Sequence, residues 1–444
     1  VLKTSVQIAC VKESDLLRNI DLVYQNSDQL RSLASEVGQD MAENAFDLRT
    51  LTARSTQNDA PVVRLIQTVF EDAVRAEASD IHIEPDEHVL RIRRRIDGIL
   101  HETTMDDTRI ASAVVSRLKL MAEADISEKR LPQDGRFSLR VLDKDIDVRL
   151  ATIPTQTGEA VVMRLLDHGS AVRNLDQLGM PDEILRRMLN IVHRPHGLVL
   201  VTGPTGSGKT TTLYAALSEL NKPQKKIITV EDPVEYQLPR INQVQVNNRI
   251  NLDFARVLRT ALRLDPDIML VGEMRDRETG EIALRAALTG HLVLSTLHTN
   301  DAVSTAMRLV DMGLESYLVA ASTQAILAQR LIRKLCGNCR TSRQLDASEQ
   351  SWVRSVMGES ASLDGFQEGA GCNQCNHTGY HGRIGVYELL EIDYTLADAL
   401  RRNDPAGFEN AARVQEGYRP LVENALDYAR QGITSLSEAM RLSG

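Results

Sequence analysis

Apolar and polar positions along the chain follow two rhythms, and the switches between them divide it. Val62, Leu65, Ile66, Val69, Phe70 and Ala73 recur every three or four residues, which predicts an amphipathic helix. Asp59 is placed to cap this helix and Pro61 suits its first turn. From Ser79 the period shortens to two. Residues 79–85 and Leu90–Ile96 alternate like strands, and Asp97-Gly98 is a hairpin turn signal. Leu90, Ile92 and Ile96 take one face of the second strand, and Arg91, Arg93 and Arg95 the other. Arg94 falls on the apolar face, so a bulge or a domain contact is expected there. A helix is predicted over 110–124, a loop carrying Arg130 and Arg136 over 128–136, and strands over 137–141, 146–150 and 158–166. Helices mixed with meandering strands predict a small α+β domain over 56–167.

A linker is expected over 168–174, and the pattern then changes. Short, mainly apolar runs at 198–201, 227–230, 268–271 and 292–294 alternate with helical segments, as in a parallel sheet with crossovers. This α/β domain is expected over 175–335. Its runs end in polar chemistry: Glu231, Asp232 and Glu235 after the second, Glu273 after the third, His298 after the fourth. In open parallel sheets, ligands bind beyond the carboxyl ends of the strands, so these groups are expected to converge. Residues 336–384 carry two cysteine pairs, and the remainder, 385–444, reads as helical and polar, with Glu438 in the first turn of a capped helix. Residues 1–55 are polar and helix-prone with little to bury, a connector.

Composition narrows the classes. Of 444 residues, 42% are hydrophobic and 25% charged, the balance of a globular protein. Lys+Arg minus Asp+Glu is 52 − 61 = −9, and aromatics are 4%, which speaks against a nucleic-acid coat. No apolar run approaches the ~18 residues of a membrane span and no signal peptide is readable, so a cytoplasmic location is expected. The first residue is Val, so the natural N-terminus is expected upstream.

Gly203, Pro204, Thr205, Gly206, Ser207, Gly208, Lys209, Thr210 and Thr211 fit G-x-x-x-x-G-K-[ST], the loop that cradles phosphates. A buried run precedes it and a helical segment, 213–217, follows, as the motif requires. The helix start offers free N–H donors and a positive dipole end. Lys209 can reach the β- and γ-phosphates of ATP, and Thr210 can ligate Mg²⁺. The run 268–271 with Glu273 reads as the second acidic element of such a site. Glu231 and Glu235 are both candidates for orienting the attacking water, and the sequence does not separate them. His291 and His298 flank the following strand, where a neutral imidazole can hydrogen-bond a γ-phosphate. Arg91, Arg93 and Arg95 with Arg130 and Arg136 could supply charge to a transferring phosphoryl group; a solvated basic face is the plain alternative. Cys336, Cys339, Cys372 and Cys375 form two CxxC pairs 32 residues apart, the donor set of a closed tetrahedral Zn²⁺ site. Cys10 has no partner in the pattern.

Taken together these motifs resemble the secretion ATPases that assemble type II secretion pseudopili and type IV pili. The segments 78–85, 93–98 and 129–136 resemble the PAS-like domain of that family, 229–235 its aspartate box, and 289–300 its histidine box. The four cysteines resemble its assembly branch, and 236–246 is similar to the extension ATPase of mannose-sensitive haemagglutinin-type pili. The resemblance covers about 55–444. It implies a RecA-like P-loop motor after the PAS-like domain, with a tetracysteine zinc insert and a helical C-terminal subdomain. It implies a homohexamer on an inner-membrane platform protein, peripheral to that membrane. Arg93, Arg95 and Arg136 match its arginines, Glu235 and Glu273 its catalytic acids, and His298 its sensor. Pilus ATPases of this type often carry an N-terminal cyclic dinucleotide-binding domain, which is not readable here. The expected function is ATP hydrolysis driving assembly of pilin-like subunits, without nucleic acid as a partner. The rivals are a RecA-type nucleic-acid translocase and a nucleotide-gated scaffold with little turnover.

Overall fold

The computed structural model describes residues 60–167 and 174–443, so the connector expected over 1–55 and most of the expected linker lie outside the described residues. The chain divides into two compact units, 1–171 and 172–444.

In the first unit, α1 (Ala60–Arg75) and α2 (Ile110–Met121) cover one face of a six-stranded antiparallel sheet. Its strands are β1 (Asp80–Pro85), β2 (Leu90–Ile96), β3 (Ile99–Met105), β4 (Gln133–Val141), β5 (Lys144–Thr155) and β6 (Gly158–Asp167), in the order β3-β2-β1-β6-β5-β4. The helical stripe is the core: Leu65, Ile66, Val69 and Phe70 of α1 are buried with Ile81, Ile83, Leu90 and Ile92 beneath them. Phe70 meets Phe137 edge-on at 6.1 Å.

Two expectations in this unit change. Arg94 causes no bulge: its pairing with Ile81 and His101 is unbroken. Its guanidinium instead lies 3.6 Å from Asp72, a buried acid on α1. Burial raises the Asp72 pKa and Arg94 opposes that, so the pair keeps a charge under the helix. Arg136 lies on a strand rather than a loop, because β4 begins at Gln133. Gly135 allows this, since a Cβ there would sit 2.5 Å from the carbonyl oxygen of Ala122.

The second unit is built on a seven-stranded sheet, ordered β15-β12-β7-β11-β10-β8-β9. Its parallel strands are β7 (Gly197–Thr202), β8 (Ile227–Glu231), β9 (Asn242–Gln245), β10 (Ile268–Val271), β11 (Leu292–Leu297) and β12 (Thr323–Leu335). The runs are mainly apolar because helices bury both faces. On one face lie α3 (Asp182–Val192) and α4 (Lys209–Leu220). The other face is covered by α5 (Phe254–Ala261), α6 (Arg277–Leu288), α7 (Ala302–Asp311) and α8 (Ser316–Ser322).

Beyond β12 the chain makes an excursion: β13 (Arg340–Ser342) pairs with β14 (Gln367–Gly369), and α9 (Ala347–Met357) lies between them. It then returns as β15 (Tyr380–Glu391), antiparallel to β12 from Ala325↔Glu391 to Arg333↔Arg383. Residues 385–391, expected as helix, are therefore strand. Helices α10 (Tyr394–Arg401), α11 (Pro405–Val414), α12 (Leu421–Arg430) and α13 (Leu436–Met440) follow, and Ser435 caps α13 by accepting from Glu438 N–H.

Candidate active site and cysteine cluster

Every residue of β7 is buried, and the chain leaves it through Gly203–Gly208 into α4. Gly208 adopts φ 89°, and α4 starts there without a side-chain cap. A Cβ on Gly208 would lie 2.8 Å from Gln329 Nε2, so the position needs glycine twice over. The first N–H groups of α4 are thus left for a ligand. Ser207 Oγ is also buried with no hydrogen-bond partner. Lys209 Nζ donates to the loop's own carbonyls, Gly203 at 2.8 Å and Pro204 at 3.0 Å. Burial holds its pKa below the ordinary lysine range, with the charge of Glu273 opposing and that of Arg330 adding. Thr210 and Thr211 are exposed. Uncapped amides, an orphan hydroxyl and a half-desolvated ammonium fit a polyphosphate with its Mg²⁺.

The acids divide by environment. Glu273, just past β10, pairs with Arg275 and lies 3.6 Å from His298 Nε2. Arg275 also reaches Asp232 at 3.8 Å. Ser295 and Thr296 donate to the carbonyls of Val271 and Gly272 at 2.8 and 2.7 Å, which fixes the end of β11 beside that of β10. His298 is therefore held at the carboxyl end of the sheet. His291 precedes β11, at its opposite end, with Nδ1 3.0 Å from the Ala286 carbonyl.

Glu231 is 3% exposed. Its carboxylate accepts from Tyr214 Oη, from Thr229 Oγ1 at 2.5 Å and from Gln243 Nε2 at 3.2 Å. Glu235 lies four residues on, and its backbone N–H donates to Tyr214 Oη at 3.3 Å.

In the first unit Arg93, Arg95 and Arg136 sit on the sheet face away from the helices. Arg93 donates to Glu84 at 2.5 Å, and Arg95 to the Gly98 carbonyl at 2.9 Å with Asp80 3.7 Å away. Arg130 pairs with its neighbour Glu128 at 2.9 Å and is itself almost fully exposed. The register sets Arg136, Arg149, Arg164, Asp80 and Arg95 opposite one another across five strands. Arg149 and Arg164 were not singled out by sequence, although the period of two in their strands puts them on this face.

The four thiols meet in one cluster, with all sulfurs within 4.8 Å. Cys336–Cys372, Cys339–Cys375 and Cys372–Cys375 are each 3.8 Å apart. A tetrahedral ion with metal–sulfur bonds of about 2.3 Å sets sulfurs about 3.8 Å apart, so the donor set fits zinc. Cys372 Sγ accepts from Asn338 Nδ2 at 3.4 Å, and Cys375 Sγ from the N–H groups of Cys372 and Gly379, both at 3.2 Å. Burial opposes ionisation of Cys372, but hydrogen bonds from Asn338 and the backbone outweigh it and hold its pKa at about 6.

The family model described as "Type II/IV secretion system protein" matches residues 55–441. The chain belongs to this family. It is 43% identical over 450 residues to the type II secretion system ATPase E of Vibrio cholerae, covering 100% of this chain and 88% of that protein. It is 49% identical to the type II secretion system protein HxcR of Pseudomonas aeruginosa, covering 87% and 78%. Among solved structures, the ADP-bound pilus retraction motor PilT matches at TM-score 0.58 and 29% identity, over 85% of this chain and 96% of that one. The Legionella pneumophila ATPase DotB shares the fold at TM-score 0.62 and 22% identity, over 86% and 95%. This type II/IV secretion chain is an ATP hydrolase of the secretion and pilus class. Among its described residues, no helix is long and apolar enough to cross a membrane.

The structure adds residues to this secretion ATPase site that the motifs did not give. Gln329, buried on β12, donates to the Ser207 carbonyl at 2.8 Å and accepts from Thr212 Oγ1 at 2.7 Å, which ties the phosphate loop to a strand over 100 residues away. Arg330 beside it donates to Asn300 at 2.8 Å. Neither had a sequence signal, because only β-sheet pairing brings β12 next to β7.

Proposed function

We propose that this ATPase works as a homohexameric motor that couples ATP + H₂O → ADP + phosphate to assembly of pilin-like or pseudopilin subunits. The observation that carries the reading is the convergence of Lys209, Glu273 and His298 at the carboxyl ends of the parallel strands of one sheet. In this reading Lys209 and the first amides of α4 hold the phosphates. Thr210 and Glu273 hold Mg²⁺, which neutralises phosphate charge when bound. His298, already beside Glu273, senses the γ-phosphate. Glu235 orients the attacking water, whereas Glu231, saturated by three donors in the interior, is a framework acid. Arg93, Arg95 and Arg136 complete a neighbour's site, so the first unit is read as the PAS-like domain of the resemblance. Zn²⁺ occupies the cysteine cluster. The ring acts at the cytoplasmic side of the inner membrane, on a platform protein. The pilus-type likeness of 236–246 favours a pilus, and the type II secretion relatives favour a pseudopilus.

The test is Mg·ATPase specific activity against protein concentration. It is expected to rise steeply and then plateau as rings close. Activity per chain that stays flat from monomer to oligomer would remove the trans arginines and the ring with them.

A further inference from the structure

The loop that leaves β8 carries Glu235, and Tyr214, Tyr236 and Gln243 tie it to the interior. Glu235 N–H donates to Tyr214 Oη at 3.3 Å. The Tyr236 ring stands edge-on to the Tyr214 ring, with centroids 4.6 Å apart. Gln243 Nε2 donates to the Tyr236 carbonyl at 3.2 Å, and Gln243 Oε1 accepts from Leu238 N–H at 2.7 Å. Tyr214 and Gln243 in turn meet on the buried carboxylate of Glu231. Tyr214 belongs to α4, five residues beyond Lys209, and is itself fully buried.

We propose that Tyr214 is a positioning residue for Glu235: through its hydroxyl, a buried Tyr214–Glu231–Gln243 network fixes the water-orienting acid to the helix whose N-terminus holds the phosphates. The inference rests on the reading of Glu235 given above and deepens it. Tyr214 touches no reacting atom. It transmits the seating of α4 on the phosphates to the loop opposite, so the acid is aligned when the helix is. Burial and the adjacent Glu231 carboxylate raise the Tyr214 pKa, which keeps the hydroxyl protonated and donating to Glu231. The same oxygen accepts from the Glu235 amide, so one atom serves both ends of the link.

Tyr214→Phe keeps the ring on Tyr236 and removes only the hydroxyl. With radiolabelled ATP, kcat is expected to fall about tenfold, as for a catalytic group shifted by a fraction of an ångström, while KM for ATP stays within about twofold because residues 203–211 are untouched. In a Glu235→Gln background the same change is expected to cost nothing further, since the group it positions is gone. Wild-type kcat in Tyr214→Phe, a loss appearing in KM, or an equal loss in the Glu235→Gln background would each overturn the proposal. Glu235→Gln at wild-type kcat would instead remove the assignment of Glu235, and the single variant reports that by itself. If Tyr214→Phe fails to fold, Glu231→Gln takes its place. Its amide nitrogen cannot accept from the donors the carboxylate serves, so the same kcat loss and the same lack of additivity are expected; their absence sinks the idea.

Discussion

The phosphate-loop lysine of the second unit and the candidate arginines of the first are held by different means. In the second unit Lys209 is desolvated and rests on backbone carbonyls of the loop it belongs to. In the first, Arg93, Arg95 and Arg164 rest on full charges, Glu84 and Asp80, on an open sheet face. A carbonyl dipole competes weakly with a phosphate, so Lys209 can be handed to a ligand at little cost. An arginine on a carboxylate is held until something more anionic arrives. Arg136 departs from its row: it is exposed and has no carboxylate partner among the described residues. The contrast suits a site whose phosphate grip is complete in one chain while its last charges come from elsewhere.

The strongest way to break that comparison is to remove one cation from each unit. Lys209→Ala is expected to lower kcat about 100- to 1000-fold, the scale for losing one preorganised charge-stabilising donor. Arg136→Ala is expected to cost at least about tenfold. Mixed together, the two variants should regain activity that neither has alone, because one chain then supplies the lysine and its neighbour the arginine. A mixture no more active than the sum of its parts would mean that both groups act within one chain or that Arg136 does not act.

What the sequence made legible is what is local. The phosphate loop and the CxxC pairs are contiguous, so their chemistry shows in the order of residues. Glu231 and Glu235 are equally polar in sequence, and Tyr214 and Gln243, 17 and 12 residues from Glu231, reveal that it is the Glu231 carboxylate that is tied into the interior. Strand β15 was hidden for a related reason. Glu388 interrupts its apolar run, yet that acid is buried. It accepts from the Ala302 N–H, the Leu421 N–H and Tyr418 Oη at 2.8, 2.9 and 3.0 Å, donors from two distant segments. Burial raises its pKa and those donors oppose the rise. Periodicity cannot report a buried charge whose partners lie so far along the chain.

The cysteine cluster sharpens the comparison at intermediate scale, because its stability is expected to come from an ion rather than from core. Metal analysis of the purified chain is expected to give one zinc per chain, and Cys372→Ser to lose it. Unfolding temperature should drop with the metal, since binding free energy at such sites is folding free energy. The ATPase rate is expected to change less than threefold, as the cluster lies outside the phosphate loop. A chain free of metal but equally stable would show that the four thiols stand by themselves.

The smallest effect returns to the arginine sheet. His82 lies on β1 opposite Arg93 and Val162, with Glu84 3.6 Å from its Nδ1 and its Nε2 buried without a hydrogen-bond partner. Burial lowers its pKa; Arg95 and Arg93 act the same way, and Glu84 and Asp80 oppose them. The folded state therefore binds this proton less readily than the unfolded chain, whose histidine titrates near 6.5. Stability from a neutral His82 is fully present above that pH and is lost as pH falls through it, by at most about 1.4 kcal/mol per pH unit for one proton. Thermal unfolding of the full chain from pH 7.5 to 5.5 is expected to fall more steeply for wild type than for His82→Gln, whose side chain has no proton to take up. Parallel curves would mean that the sheet accepts a charged imidazole, and that Glu84 and Asp80 already balance the arginines around it.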